Sequence, residues 1–298
     1  MNSKRQTGTN LHVPVMPKEV LSYLNIKPNG VYLDGTIGLG GHSNLIMKQL
    51  SLEGHLIGVD RDKEALSICN QRLSTLTAQF SLFHNSYNNF NTILNNMGIS
   101  KVNGILLDLG MSSLQLDSKE RGFSYKTDSK LDMRFDISQD IKASNILNQL
   151  PTNELANLIY QYGEERRSRP ISKSIVRLRP IKTVFDLVEA IRRSTPPNHR
   201  NKSISRVFQA IRIKVNEELD KLENFLSFFY EKIAIGGRIV IISFHSLEDR
   251  QVKHQFKRLA KEQQIKILTK KPLVPSKKEI LENKRSASAK MRVAERIK

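Results

Sequence analysis

The stretch DGTIGLGGHS, residues 34–43, places a carboxylate, bare backbone and an imidazole within ten positions. Glycines in a turn let the main chain approach a ligand closely, and a helix starting there offers unbonded N–H groups to an anion. Ser43 occupies the third glycine position of a G-x-G-x-x-G pattern, and a glycine turn alone is weak evidence. Asp60 adds to it, since a carboxylate about twenty residues on, ending the second strand, can accept both hydroxyls of a ribose. NAD and S-adenosylmethionine share that ribose. Asp34 separates them: a carboxylate there suits the ammonium of a methionine moiety and repels a pyrophosphate. Tyr87 is placed to stack on or edge an adenine, or else to serve as a core aromatic. Asp108 ends the fourth strand, where substrate and cofactor meet in such sheets.

A second constellation, RIVIISFHSLEDR (238–250), gathers His245, Ser246, Glu248 and Asp249 and invites a hydrolase reading. Its flanks argue against one. A nucleophile elbow wants glycines around the serine, whereas His245 and Leu247 flank Ser246. Ser246 with Asp249 fits a helix cap better, serine at the N-cap and acid at N3. The seven histidines lack metal-ligand spacing, and the single cysteine, Cys69, excludes a cysteine-cluster zinc site. No metal is expected.

These residues must be held by elements that the apolar pattern outlines. Strands are expected within 31–38, 55–60, 80–85 and 102–110, with helices at 42–50, 62–73 and 87–98 between them. Such alternation predicts an α/β fold with a parallel, doubly wound sheet. The next strong strand is 236–245. From Asp108 to Arg238 is 130 positions, whereas a βαβ unit needs only about 30 or somewhat more, so about a hundred residues are inserted. The insertion reads helical: Thr183 and Asp186 resemble a capping box, followed by Val184, Leu187, Val188 and Ile191 at helical spacing. Phe208 through Ile233 keeps helical spacing over one long stretch. The expected division is a first sheet segment at 1–116, a smaller inserted helical domain at 117–215, and a second sheet segment with a basic tail at 216–298.

Of 298 residues, 39% are hydrophobic, which supports a packed core. No apolar run reaches the ~18–20 residues of a membrane span, and MNSKRQTGTN does not resemble a secretory signal. One cysteine allows no internal disulfide, so a reducing cytoplasm is expected. Net charge is +19, and Arg250 to Lys298 holds 16 basic against 4 acidic residues, +12 of that excess. The insertion is rich in Arg and Lys too, including Arg166, Arg169, Lys173, Arg177 and Arg192. Such asymmetry points to a polyanionic partner, nucleic acid above all.

The segment DLGMSSLQLDSKERGFSYKTDSKLDMRFD (108–136) is more specific. Together with HVPVM (12–16), DGTIGLGGHS, SRVFQAIRIKVNEEL (205–219), ISFHSLEDR (242–250) and SAKMRVAER (288–296), it resembles the bacterial 16S rRNA cytosine-N4 methyltransferase family, RsmH or MraW. The resemblance covers nearly the whole chain. It implies a Rossmann-like S-adenosylmethionine-dependent methyltransferase sheet with an inserted helical domain, acting on N4 of cytosine 1402 in the decoding region of the small ribosomal subunit. Carried over position by position, the cofactor contacts are Gly40, Gly41, His42, Asp60, Tyr87, Asp108 and Gln115. The chain departs from the family's pattern at Tyr87 (usually Phe), Ser129-Lys130 (usually Gly-Pro), Lys202-Ser203 (usually His-Pro), Lys284 and Ala287.

Methyl transfer mainly requires alignment of the amine with an electrophilic methyl. The generic Asn/Asp-Pro-Pro-aromatic motif of amino-methyltransferases is replaced here by Asp-Leu-Gly-Met. Asp132 and His245 are therefore the candidates for activating the amine, each with loop-fixing hydrogen bonds as the alternative. The target base must leave its stack, and Arg121 to Tyr125 is a loop that can shape its pocket. Monomer and homodimer are both open. Competing readings are a nicotinamide-dependent oxidoreductase, disfavoured by Asp34, and a non-enzymatic rRNA-binding or assembly protein.

Overall fold

Apolar runs at Val31–Asp34 (β1), His55–Asp60 (β2), Gln79–His84 (β3), Val102–Asp108 (β4) and Ile233–Ser243 (β5) lie side by side as parallel strands. Each connection returns through helical segments, as parallel pairing requires. The inner runs are nearly unbroken because both faces of the sheet are covered there, whereas edge strand β3 has no fully buried residue. Successive residues alternate between two cores: Leu33, Ile57, Ile105 and Ile241 meet the helices Phe90–Asn96, Glu218–Lys232 and Ser246–Lys261, whereas Tyr32, Leu56, Leu106 and Val240 meet Pro17–Leu24, Gly41–Met47 and Lys63–Leu73. This computed structural model describes residues 14–298, so His12 and Val13 of the HVPVM motif lie outside the described residues.

Two further strands, Ile265–Ile267 (β6) and Lys290–Arg296 (β7), complete a seven-stranded sheet of order β3-β2-β1-β4-β5-β7-β6. β7 runs antiparallel between β5 and β6, from Arg238 opposite Glu295 to Ser243 opposite Lys290. From sequence this segment is a basic tail carrying the SAKMRVAER motif, with no strand expected. Charge concealed the strand: Arg292 is buried by its bonds to Asp249 (Nε–Oδ1 2.6 Å, Nη2–Oδ2 3.2 Å), and Arg238 pairs with Glu295 at 2.8 Å. The observed class is thus the expected mixed α/β, Rossmann-like sheet, with an antiparallel hairpin added at one edge.

The connection from β4 to β5 carries its own core. Every buried member of that cluster falls between Phe123 and Val215, most of them on helices such as Thr152–Gly163, Ser168–Arg177, Val184–Arg193 and Arg200–Asn216. The Thr183–Asp186 capping box is present, each side chain bonding the other's backbone N–H. The long helix expected through Phe208–Ile233 is instead two, broken at Glu217, which adopts a left-handed φ of 53°. Neither Gly nor Pro marks the break. It is fixed from outside by Asn216, whose buried amide donates to the Met133 carbonyl and accepts from the Phe135 N–H, both 2.8 Å.

Within this cluster two helices meet at Gly163, where an added Cβ would lie 2.6 Å from the Arg206 carbonyl oxygen and 3.3 Å from Ala210 Cβ. Gly163→Ala is expected to destabilise the fold by about 1–3 kcal/mol, because backbone must move to admit the methyl. A lowered urea midpoint would register it.

Candidate functional site

In a doubly wound sheet the ligand lies beyond the carboxyl ends of the strands where the order reverses, here between β1 and β4. Asp34, Asp60 and Asp108 are the last residues of β1, β2 and β4, and His245 follows β5, so strand register alone gathers them. All four line one cavity of about 370 Å³, together with Gly41, His42, Tyr87 and Gln115.

The glycine turn forms the cavity floor. Gly38 (φ 51°) gives its N–H to Asp60 Oδ2 at 2.8 Å. Gly40 (φ 76°) is not among the lining residues; a Cβ there would stand 2.8 Å from Cys69 Sγ, so its bareness serves the packing of the turn on helix Lys63–Leu73. Burial pushes the Cys69 thiol up to about 12, so it stays protonated behind the turn.

Asp60 also accepts the Asp62 N–H through Oδ1 at 2.8 Å. Each carboxylate oxygen has a second lone pair, so both can still accept from a ligand. Burial raises Asp60 to about 6, against the lowering effect of those N–H bonds. Asp34 is buried more deeply, only 2% exposed, and is also raised to about 6 by burial, despite the hydroxyl of Ser43 on Oδ2 at 2.6 Å. Opposite, His42 and Asp108 leave polar atoms unspent: neither ring nitrogen of His42 and not Oδ1 of Asp108 has a hydrogen-bond partner, with His42 Nε2 3.4 Å from Asp108 Oδ2. Buried polar atoms without partners facing a cavity fit a polar ligand. Tyr87 presents its ring beside Phe225 in an edge contact at 5.7 Å.

Gln115 is spent on structure: Nε2 donates to Asp62 Oδ2 at 3.1 Å and Oε1 accepts the Ser112 N–H at 3.0 Å. Asp62, absent from the sequence reading except as a helix start, organises this side of the site. It caps helix Lys63–Leu73 and binds Arg121 Nη1 at 2.6 Å, while Arg121 Nη2 holds the carbonyls of Arg134 and Phe135. Arg61 was also missed; it reaches the Asn216 carbonyl at 2.8 Å and lies 5.7 Å from the Phe135 ring centre. Both neighbour Asp60 in sequence, so only their charge could have flagged them.

The two catalytic candidates part company. Asp132 is not among the lining residues: both oxygens are bound by Arg134, Nε and Nη2 each at 2.7 Å, which fixes the loop between residues 131 and 142. His245 does line the cavity, and it corrects the capping assignment made from sequence. The helix begins at Ser246 with His245 as its N-cap and Glu248 at N3, not with Ser246 and Asp249. Nδ1 of His245 accepts the Glu248 N–H at 3.4 Å, and Nε2 lies 3.3 Å from Glu248 Oε1. With Nδ1 accepting, Nε2 is the ring nitrogen left to donate, and it has no hydrogen-bond partner among the described residues. Ser246 turns away, giving its hydroxyl to Glu164 Oε2 at 2.5 Å, alongside an Arg250–Glu164 pair at 2.9 Å.

Sequence spacing did not reveal that Glu218, His245 and Glu248 converge, with ligand-capable atoms within 4.8 Å of one another. The cationic partner among them is Arg212, which binds both oxygens of Glu218 at 2.8 Å. Burial alone would raise the Glu248 carboxyl, but His245 and Arg212 hold it below the usual range.

Over the top, Arg285 contacts Ser113 and pairs with Asp117 at 2.6 Å, bringing the segment before β7 onto the cavity rim. Among the departures from the expected motifs, Ser129 and Lys130 bridge to Val184 and Thr183, Ser203 is buried, and Lys284 and Ala287 are exposed. Among the described residues, no helix is long and apolar enough to cross a membrane.

Comparison with known proteins gives the same direction. A family model described as the MraW methylase family matches residues 9–297. The chain is 48% identical over 294 residues to a ribosomal RNA small subunit methyltransferase H of Kosmotoga olearia, covering 96% of this chain and 97% of that one. To the protein of the same name from Thermosipho africanus it is 47% identical over 290 residues, covering 96% and 98%.

Proposed function

The chain belongs to the MraW methylase family, and from that premise we propose that it methylates the exocyclic N4 of a cytosine in 16S rRNA, in the decoding region of the small ribosomal subunit, with S-adenosylmethionine as methyl donor. The observation that carries the site assignment is the convergence of Asp34, Asp60 and Asp108 on one cavity, with unpartnered His42 and Asp108 atoms facing it.

In this reading Asp60 accepts the ribose hydroxyls and Tyr87 borders the adenine. Gly41, His42 and Asp108 enclose the methionine end, with Gly40 setting the turn. Gln115 positions the wall through Asp62. The cofactor, when bound, supplies a methyl already electrophilic on its sulfonium. The protein's task is to hold the amine in line with it and to keep water out. His245 caps the helix at the rim through Nδ1 and leaves Nε2 without a hydrogen-bond partner among the described residues, while Asp132 serves as a loop anchor.

Residues 117–215 act as the inserted substrate-recognition unit between sheet segments 1–116 and 216–298. Arg166, Arg169, Lys173, Arg177 and Lys182 are exposed there, which suits a phosphate backbone. This function belongs in the bacterial cytoplasm.

Two measurements test the proposal. Titration calorimetry should detect S-adenosylmethionine binding and none for NADH; tight NADH binding with no S-adenosylmethionine binding would overturn it. In cells lacking the protein, 16S rRNA should lose a methyl from one cytosine N4. Retention of that methyl would refute the substrate assignment.

A further inference from the structure

We infer that Gln209 and Arg212 read the Watson–Crick edge of the target base, selecting an amine beside a ring acceptor, the pattern cytosine presents and uracil lacks. This rests on the proposed cytosine-N4 methylation. The two side chains stand one turn apart on helix Arg200–Asn216 and belong to the wall shared by the cofactor cavity and a second cavity of about 440 Å³. Phe123, Tyr125 and Phe208 line the second cavity, with Tyr125 and Phe208 in edge contact at 5.6 Å. Lys126 and Arg285 line it as well. Flat apolar walls with nearby cations suit a base taken out of its stack while its phosphate remains attached. The shared wall also includes Met111, three residues beyond Asp108, so a base in the second cavity would border the cofactor cavity.

The direction of each reading group is set by the partner it already has. Gln209 Nε2 donates to the Tyr162 carbonyl at 2.9 Å. A carbonyl can only accept, so the amide nitrogen must face Tyr162, and Oε1 is left as an acceptor. Arg212 commits Nε and Nη2 to the two oxygens of Glu218, leaving Nη1 as the donor without a protein hydrogen bond among the described residues. The buried Glu218 thus aims the guanidinium as well as neutralising it. An acceptor next to a donor complements a cytosine edge: N4–H to Gln209 Oε1, and Arg212 Nη1–H to N3. Uracil reverses both contacts, setting O4 against Oε1 and N3–H against the guanidinium, so discrimination comes from repulsion as well as attraction. An acceptor on the N4–H also draws lone-pair density back onto the amine nitrogen.

The test uses small subunits from cells lacking the protein, with either cytosine or uracil at the target position. Wild-type protein should bind the cytosine form about tenfold to a hundredfold more tightly, the range a lost base contact commonly costs. Gln209→Leu should bring that ratio to within about threefold and lower kcat/KM, with S-adenosylmethionine affinity unchanged. Because removing Arg212 strands a buried Glu218, Arg212→Lys is the second variant; it keeps a cation there but loses the fixed fork, and the ratio should narrow again. A wild-type ratio near one, or variant ratios equal to that of wild type, would overturn the inference. A wild-type protein that methylates neither subunit would instead defeat the parent reading.

Discussion

Asp60→Ala will weaken S-adenosylmethionine binding by about a hundredfold or more, with the fold intact. In the proposed site Asp60 accepts both ribose hydroxyls, so the substitution would remove two hydrogen bonds to a carboxylate together. Hydrogen bonds to charged groups contribute about 1.5–3 kcal/mol each, and 1.4 kcal/mol is a factor of about ten. Calorimetric titration measures the loss, and a thermal melt of the free variant separates it from misfolding. A variant that melts like wild type and binds S-adenosylmethionine equally well would remove Asp60 from the site.

The same carboxylate sets a pH dependence. Burial raises Asp60 and Asp34 from 3.8 to about 6. A raised carboxyl binds its proton more tightly in the folded chain than in the unfolded one. Its contribution to stability is therefore present below the unfolded value and lost as pH rises through 6. The free protein bears the ionisation penalty at neutral pH, and a ligand that needs ionised carboxylates relieves it. Affinity for S-adenosylmethionine should level off at about pH 7. Below about 6 it should fall, approaching tenfold per pH unit for each carboxyl that must ionise. Affinity unchanged between pH 7.5 and 5 would contradict this.

The second large effect is expected at Asp62, which is not among the residues lining the cavity. It is 3% exposed and holds Arg121, Gln115 and the first N–H groups of helix Lys63–Leu73. Removing one partner of a buried ion pair leaves the other charge without compensation, at a cost of about 3–5 kcal/mol. Asp62→Ala should lower stability by that order in urea unfolding. It should also free the 110–136 loop, so that amides there exchange faster while those of β1 to β4 stay protected. Equal loss of protection in sheet and loop would mean that Asp62 supports the whole fold and not this loop in particular.

How much of this could be read from sequence follows from the range of each interaction. The strands ending at Asp34, Asp60 and Asp108 were legible because sheet burial acts residue by residue and leaves unbroken apolar runs. The carboxylates were legible because strand ends are where such sheets place chemistry. What escaped depended on pairings distant in sequence. Arg212 meets Glu218 across a break that neither Gly nor Pro announces, set by Asn216 binding residues 81 and 83 positions away. Asp132 looked reactive in LDMR, yet its neighbour two residues on satisfies both oxygens. His245, not Ser246, became the cap because imidazole Nδ1 can accept the N3 N–H as a hydroxyl does.

The position of β7 bears on how the sheet is made during synthesis. β5 is complete nearly fifty residues before Lys290 is added, and until then one side of its Arg238–Ser243 ladder has no neighbour. β6 must wait as well, since its partner in the sheet is β7. An unpaired apolar edge is where chains stick to one another. The emerging protein therefore passes through a vulnerable interval that closes only when β7 adds to the open edge of β5 and β6 then pairs with it. A chain stopped at Ala289 should pellet on expression where the full one stays in solution.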